Sequence, residues 1–243
     1  MIGSTSESAT LHSCIRGILG GVTRKEWNRL KTRAEAGDSE AQWEVGSWLE
    51  DGLTHANGSV VVRRDPRAAV RWLRRSAIGG NSNGQNHFGV YLCAGRFGVR
   101  RDDEEAIRWF KRALRQGDSC APNNIASVYA DRGNNRRAMF WYRRAAASGD
   151  GNALVEVGRR YYAGIGVRRD PNRAVGCFRE AITSRDISQA GRENAMFHLG
   201  VAYHEGCGVE KSSVRALQWL SKANIDDDHT EARNLLKRIA RKG

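Results

Sequence analysis

Along the chain, small and large apolar side chains alternate at offsets of three, four and seven residues, the spacing of one face of an α-helix. The clearest block reads Ala, two residues, Trp, a large apolar residue, two residues, then a small residue. It occurs at Ala69/Trp72/Leu73/Ser76, Ala106/Trp109/Phe110/Ala113, Ala138/Trp141/Tyr142/Ala145 and Ala216/Trp219/Leu220/Ala223, with a degenerate copy at Ala174/Cys177/Phe178/Ala181. Successive Trp-equivalent positions lie 37, 32, 36 and 42 residues apart. A self-similar period of this size predicts stacked helix pairs, because a single pair cannot bury its apolar face alone.

The helix before each block has its own pattern: a small residue, an apolar residue four later, usually a glycine next, and an aromatic or leucine three further on. It reads Ala41/Val45/Gly46/Leu49, Gly84/Phe88/Gly89/Leu92, Ala121/Ile125/Ala126/Tyr129, Ala153/Val157/Gly158/Tyr161 and Ala195/Leu199/Gly200/Tyr203. A glycine inside a helix costs about 1 kcal/mol in propensity, so its recurrence predicts a place where the partner helix approaches too closely for a Cβ. Asp65-Pro66, Asp102, Asn134 and Asp170-Pro171 supply start signals for the second helices, with both prolines at the first helical position. Gly37, Gly79, Gly80, Gly117 and Gly149 follow helix-like stretches as C-terminal caps.

Residues 158–174, GRRYYAGIGVRRDPNRA, and residues 199–223, LGVAYHEGCGVEKSSVRALQWLSKA, make the chain resemble the Sel-one-like repeat family, a branch of the tetratricopeptide superfamily. The resemblance covers residues 38–224 and implies an all-α fold, an α/α superhelix (solenoid) of about five helix-pair repeats. In that family the scaffold serves protein binding and complex assembly, without catalytic residues. The expected organisation is a flexible or accessory leader at 1–22, an N-terminal capping helix at 23–37, repeats at 38–80, 81–118, 119–150, 151–186 and 187–224, and a C-terminal capping helix at 225–243. Trp27, Leu30 and Ala34 mark the inner face of the first cap, and Ala232, Leu235, Leu236 and Ile239 that of the last. Departures from the family pattern are a long loop at 53–62, a missing loop in the third repeat and a polar insertion at 184–191; such irregular loops are where partner contacts are expected.

Composition adds the sign of the surface. Lys+Arg outnumber Asp+Glu by 40 to 27, a formal net charge of +13, which would attract an acidic protein, nucleic acid or anionic lipid. Arginine doublets at 63–64, 100–101, 168–169, 74–75 and 143–144 recur with the repeat and suggest basic stripes. The five cysteines are odd in number and show neither a CxxC pair nor metal-like spacing, which fits a reducing compartment. No secretory signal of normal build is visible, and no apolar run approaches the ~20 residues that span a bilayer, so a cytoplasmic location is expected.

Catalytic constellations are not visible: there is no GxSxG, HExxH or P-loop, and Gly164-Ile165-Gly166 is an inter-helix turn of the resembled family. His198, His204 and Cys207 are offset by six and three, which does not place the two histidines on one helical face, so no metal and no cofactor is expected. A protein or peptide partner is expected in the concave groove, on the first helices. Phase selects Trp43, Ser47, Asn86, His87, Asn123, Asn124, Ser127, Glu156, Arg159, Tyr162, Phe197, His198, Val201 and His204. Arg159 is placed to pair with a carboxylate. The expected function is a non-enzymatic scaffold or adaptor, and a monomer; the alternatives are an immunity protein that neutralises a cognate bacterial toxin and, less favoured, nucleic-acid binding through the arginine stripes.

Overall fold

The computed structural model describes residues 23–54, 59–224 and 229–240, so the expected leader at 1–22 lies outside the described residues. The described residues fall into two compact units, divided between Asn124 and Ile125. In the first, α1 (Arg24–Glu35) precedes α2 (Ser39–Asp51), the short strands β1 (Leu53–Thr54) and β2 (Val60–Val62), α3 (Pro66–Ile78), α4 (Ser82–Ala94) and α5 (Asp103–Arg115). The helix α6 (Ala121–Asp131) runs across the boundary. The second unit continues with α7 (Asn135–Ala147), α8 (Gly151–Ala163), α9 (Pro171–Thr183), α10 (Gln189–Glu205), α11 (Ser213–Ala223) and α12 (Thr230–Ala240).

Within each unit, helices pack on their chain neighbours and the first helices also touch one another. Thus α2 meets α3, α3 meets α4, α4 meets α5, and α2 meets α4; correspondingly, α8 meets α9, α9 meets α10, α10 meets α11, and α8 meets α10. That pattern of contacts is the all-α, helix-pair solenoid fold. Start signals act as read from the sequence: Asp65, Asp102, Asn134 and Asp170 accept hydrogen bonds from the backbone N–H groups of Ala68, Glu105, Arg137 and Arg173. Of the paired glycines after α3, only Gly80 is left-handed, at φ 92°; Gly79 keeps the helical sense at φ −68°.

The recurring glycines of the first helices, Gly46, Gly89, Gly158 and Gly200, each face the apolar residue that follows the Trp-equivalent position on the partner helix. A Cβ on Gly46 would come within 2.7 Å of Leu73, on Gly89 within 2.6 Å of Phe110, and on Gly200 within 2.6 Å of Leu220. Consequently Leu73, Phe110, Phe178 and Leu220 are sealed in the hairpins, none more than 1 % exposed. The tryptophans lie further out than the sequence suggests. Trp109 is buried, but Trp72, Trp141 and Trp219 are half-buried, each under a cation three residues on. Arg75, Arg112, Arg144 and Lys222 lie 4.9, 4.5, 5.3 and 4.8 Å from the ring centroids of Trp72, Trp109, Trp141 and Trp219. Each indole is therefore a lid over the hairpin core, held between that core and a cation.

The long loop of the first repeat contains an antiparallel hairpin, with Leu53 opposite Val62, a pairing suited to the β-branched run at 60–62. Val61 and Val62 join Trp27, Leu30, Ala34, Ala41 and Val45 in one cluster, so α1 and the hairpin cover the first repeat together. The insertion at 184–191 is tied down. Asn152 Oδ1 accepts from the backbone N and Oγ of Ser188, and Arg192 donates to the carbonyls of Ile182 and Ser184. At the far end, Ala232, Leu235, Leu236 and Ile239 of α12 pack on Leu220 and Ala223.

Candidate functional site

In the first unit, the residues chosen by helical phase are mostly enclosed. Trp43, Ser47, Asn86 and His87 are 7, 5, 3 and 9 % exposed, and the Trp43 and His87 rings lie 6.2 Å apart. This corrects the expectation that they form an open groove wall. Because α2 packs directly on α4, the face turned away from each partner helix is taken up by the neighbouring first helix. Asn123 and Asn124 are half-buried, and Asn124 Nδ2 donates to Asn86 Oδ1 at 2.8 Å, so the Asn86 amide is engaged inside the unit.

The second unit keeps a cleft of about 300 Å³ beside α8 and α10. Glu156, Arg159, Tyr162 and His198, all chosen from the sequence, line it with Arg160, Ala163 and Ile165. Arg159 Nη1 donates to Glu156 Oε1 at 2.5 Å, and the Tyr162 hydroxyl donates to Glu205 Oε2 at 2.5 Å. Burial, followed by the Glu205 carboxylate, pushes the Tyr162 phenol far above its ordinary range, so it remains a neutral donor. His198 stacks on Phe178 at 5.1 Å and 17°. Its burial, with smaller contributions from Arg159 and His229, lowers its pKa to about 4 and keeps the imidazole neutral at ordinary pH.

The remaining positions in this unit differ in exposure. Ser127 is open to solvent, whereas Phe197, Val201 and His204 are half-buried. Phe197 lies 5.3 Å from His198 and 5.0 Å from His229, and it packs against the cluster around Leu220 and Ala232. No group of three or more His, Cys, Asp or Glu among the described residues is placed to hold a metal ion. Among the described residues, Cys93, Cys120, Cys177 and Cys207 are not joined in disulfides.

Several features escaped the sequence. A wider cleft of about 690 Å³ in the first unit is lined by Trp27, Trp72 and Val61 with Arg24, Lys31, Arg63, Arg71 and Arg75, but it exists only once α1, β2 and α3 are assembled. Some of the arginine doublets have local work: Arg64 and Arg169 donate through Nε to the carbonyls of Glu50 and Tyr162 at the ends of α2 and α8, and Arg101 pairs with Asp103. Arg160 was legible, since it stands in a column occupied elsewhere by Trp48, Tyr91, Val128 and Ala202.

Fold and repeat spacing together define an α/α repeat protein. The Sel1 repeat model matches residues 39–81, 82–118, 129–150, 151–186 and 194–224, and the chain belongs to the Sel1 repeat family. Among solved structures it is similar to c5321, a protective antigen of uropathogenic Escherichia coli, with 29 % identity and TM-score 0.78. That match covers 93 % of this chain and 46 % of c5321, so the chain spans under half the length of that relative. A Sel1 repeat protein of Oxalobacter formigenes matches at 24 % identity and TM-score 0.72 over 94 % of this chain and 84 % of its own. The immunity protein Pa5087 of Pseudomonas aeruginosa shares the fold at 15 % identity and TM-score 0.50, over 96 % of this chain and 82 % of its own. No curated protein matches the sequence. Sel1 repeat proteins generally act as protein-interaction scaffolds, and among the described residues no helix is long and apolar enough to cross a membrane.

Proposed function

We propose that the chain is a non-enzymatic scaffold that holds a protein or peptide partner, with the cleft of the second unit as its principal contact site. The observation that carries this reading is the convergence of Glu156, Arg159, Tyr162 and His198, four positions of equivalent helical phase, on one open cleft. These side chains offer a paired cation and anion, a neutral phenol and a neutral imidazole, which suit recognition and lack the nucleophile, base and oxyanion arrangement of a catalyst. The cysteine usage fits a reducing, cytoplasmic setting, and we take the chain to act there as a monomer.

The test is affinity capture with the tagged chain followed by calorimetry on the captured partner. Replacing Glu156 and Arg159 together by alanine is expected to weaken binding by at least about tenfold, while the surface pair contributes under about 1 kcal/mol to folding. Unchanged affinity in a well-folded double variant would remove the site. The same experiment separates the second reading, an immunity protein, whose fold-level precedent is Pa5087. One stoichiometric toxin bound at sub-nanomolar strength supports immunity, and weak binding of several short peptides supports an adaptor. Nucleic-acid binding is the weakest alternative, because Arg64, Arg75, Arg101, Arg144 and Arg169 are engaged within their own units; duplex or single strands bound firmly at physiological salt would revive it.

A further inference from the structure

In four of the five repeats the position before the closing aromatic or leucine of the first helix is apolar; in the fourth it is Arg160. Arg160 is only 6 % exposed, and an uncompensated cation at that depth is costly. Its partners are neutral: Nη1 donates to Asn135 Oδ1 at 3.2 Å, and the guanidinium lies 4.8 Å from the Tyr142 ring centroid. Among the described residues no carboxylate forms an ion pair with it, and its Nε is buried without a hydrogen-bond partner. Yet Arg160 lines the cleft, beside Arg159.

We infer that an aspartate or glutamate side chain of the partner protein enters this cleft and supplies the counter-charge that Arg160 lacks inside the fold. This rests on the scaffold reading above and names the chemistry of the partner. Two guanidinium groups against the single carboxylate of Glu156 leave the lining net positive. The neutral His198 adds no charge of its own and offers a hydrogen bond to an entering carboxylate. Glu156 is the internal competitor, since it already holds Arg159. Recognition therefore requires the incoming carboxylate to share or displace that pair, which favours a segment with acidic residues over an isolated anion.

The experiment uses the full chain labelled with ¹⁵N-arginine and two N-acetylated, C-amidated heptapeptides, one carrying two glutamates and the other glutamines in their place. The Nε–Hε resonance of Arg160 is assigned by its loss in Arg160→Met, which restores the apolar character of the column. The glutamate peptide is expected to shift that resonance saturably and the glutamine peptide to leave it unmoved. Affinity should fall at least about tenfold in Arg160→Met and rise severalfold in Glu156→Gln, a surface change that tests the idea even if Arg160→Met does not fold. Equal shifts by both peptides, no shift by either, or an equally strong shift by inorganic phosphate at the same concentration would each overturn the inference. If capture of a partner still depends on Glu156 and Arg159 while the Arg160 resonance ignores the glutamate peptide, only this inference fails. If no partner is captured, the scaffold reading fails whatever the resonance does.

Discussion

A Cβ built on Gly158 would lie 2.5 Å from Cε1 of Phe178, so α8 and α9 close at a separation that glycine alone permits. The ring cannot retreat, because Phe178 is fully buried. Equivalent contacts between glycine and the residue after the Trp position recur in three other hairpins, whereas the third places Ala126 in that column.

Gly158→Ala is therefore expected to destabilise the chain by about 1–3 kcal/mol, although alanine is the better helix former by about 1 kcal/mol. Urea denaturation of Gly158→Ala, Phe178→Leu and the double variant measures it. The double variant should lose less than the sum of the singles, since a smaller side chain makes room for the methyl; strict additivity would mean the close approach is not what excludes a side chain.

The sealed core and its lid should separate energetically. Phe110→Ala removes a side chain 1 % exposed and is expected to cost about 3–5 kcal/mol. Arg112→Ala, which strips only the cation from Trp109, should cost under about 1 kcal/mol. Comparable losses from the two substitutions in equilibrium unfolding would contradict the assignment of the indole as a lid.

Helical phase places Asn86 and Asn123 on an open groove face, where an amide can be replaced at little cost in stability. The burial of Asn86 and its bond from Asn124 reverse that expectation. Asn124→Ala, which leaves a buried carbonyl oxygen without its donor, should cost about 1–3 kcal/mol. A melting temperature within error of the parent would show that the amide pair is not maintained in solution.

His198 gives stability a pH dependence with a definite sign. Its pKa is about 4 in the fold against an ordinary 6.5, so the unfolded chain binds the extra proton between those limits. The stability associated with the neutral imidazole is complete above pH 6.5, falls on acidification and levels off below pH 4, with a total of about 3 kcal/mol. His198→Phe preserves an aromatic face for Phe178 and should abolish this segment of the profile. Asp118 and Asp150, whose carboxyls burial pushes up, contribute with the opposite sign and are common to both proteins. The difference between the two urea midpoint curves thus isolates His198, and parallel curves from pH 4 to 6.5 would refute its burial.

The sequence by itself determined the repeat, the hairpin pairing and the packing glycines, because these depend on offsets within one helix and on the helix next in the chain. Phase also placed Glu156, Arg159, Tyr162 and His198 on the face that meets the cleft. Only the tertiary structure decided that Trp43, Ser47, Asn86 and His87 are enclosed, that the indoles are lids, and that the 60–62 segment pairs as a strand. Helical phase gives a direction but no distance. Whether a polar face remains open depends on how closely the next first helix packs, which is set by the summed volumes of side chains from elements far apart in the chain.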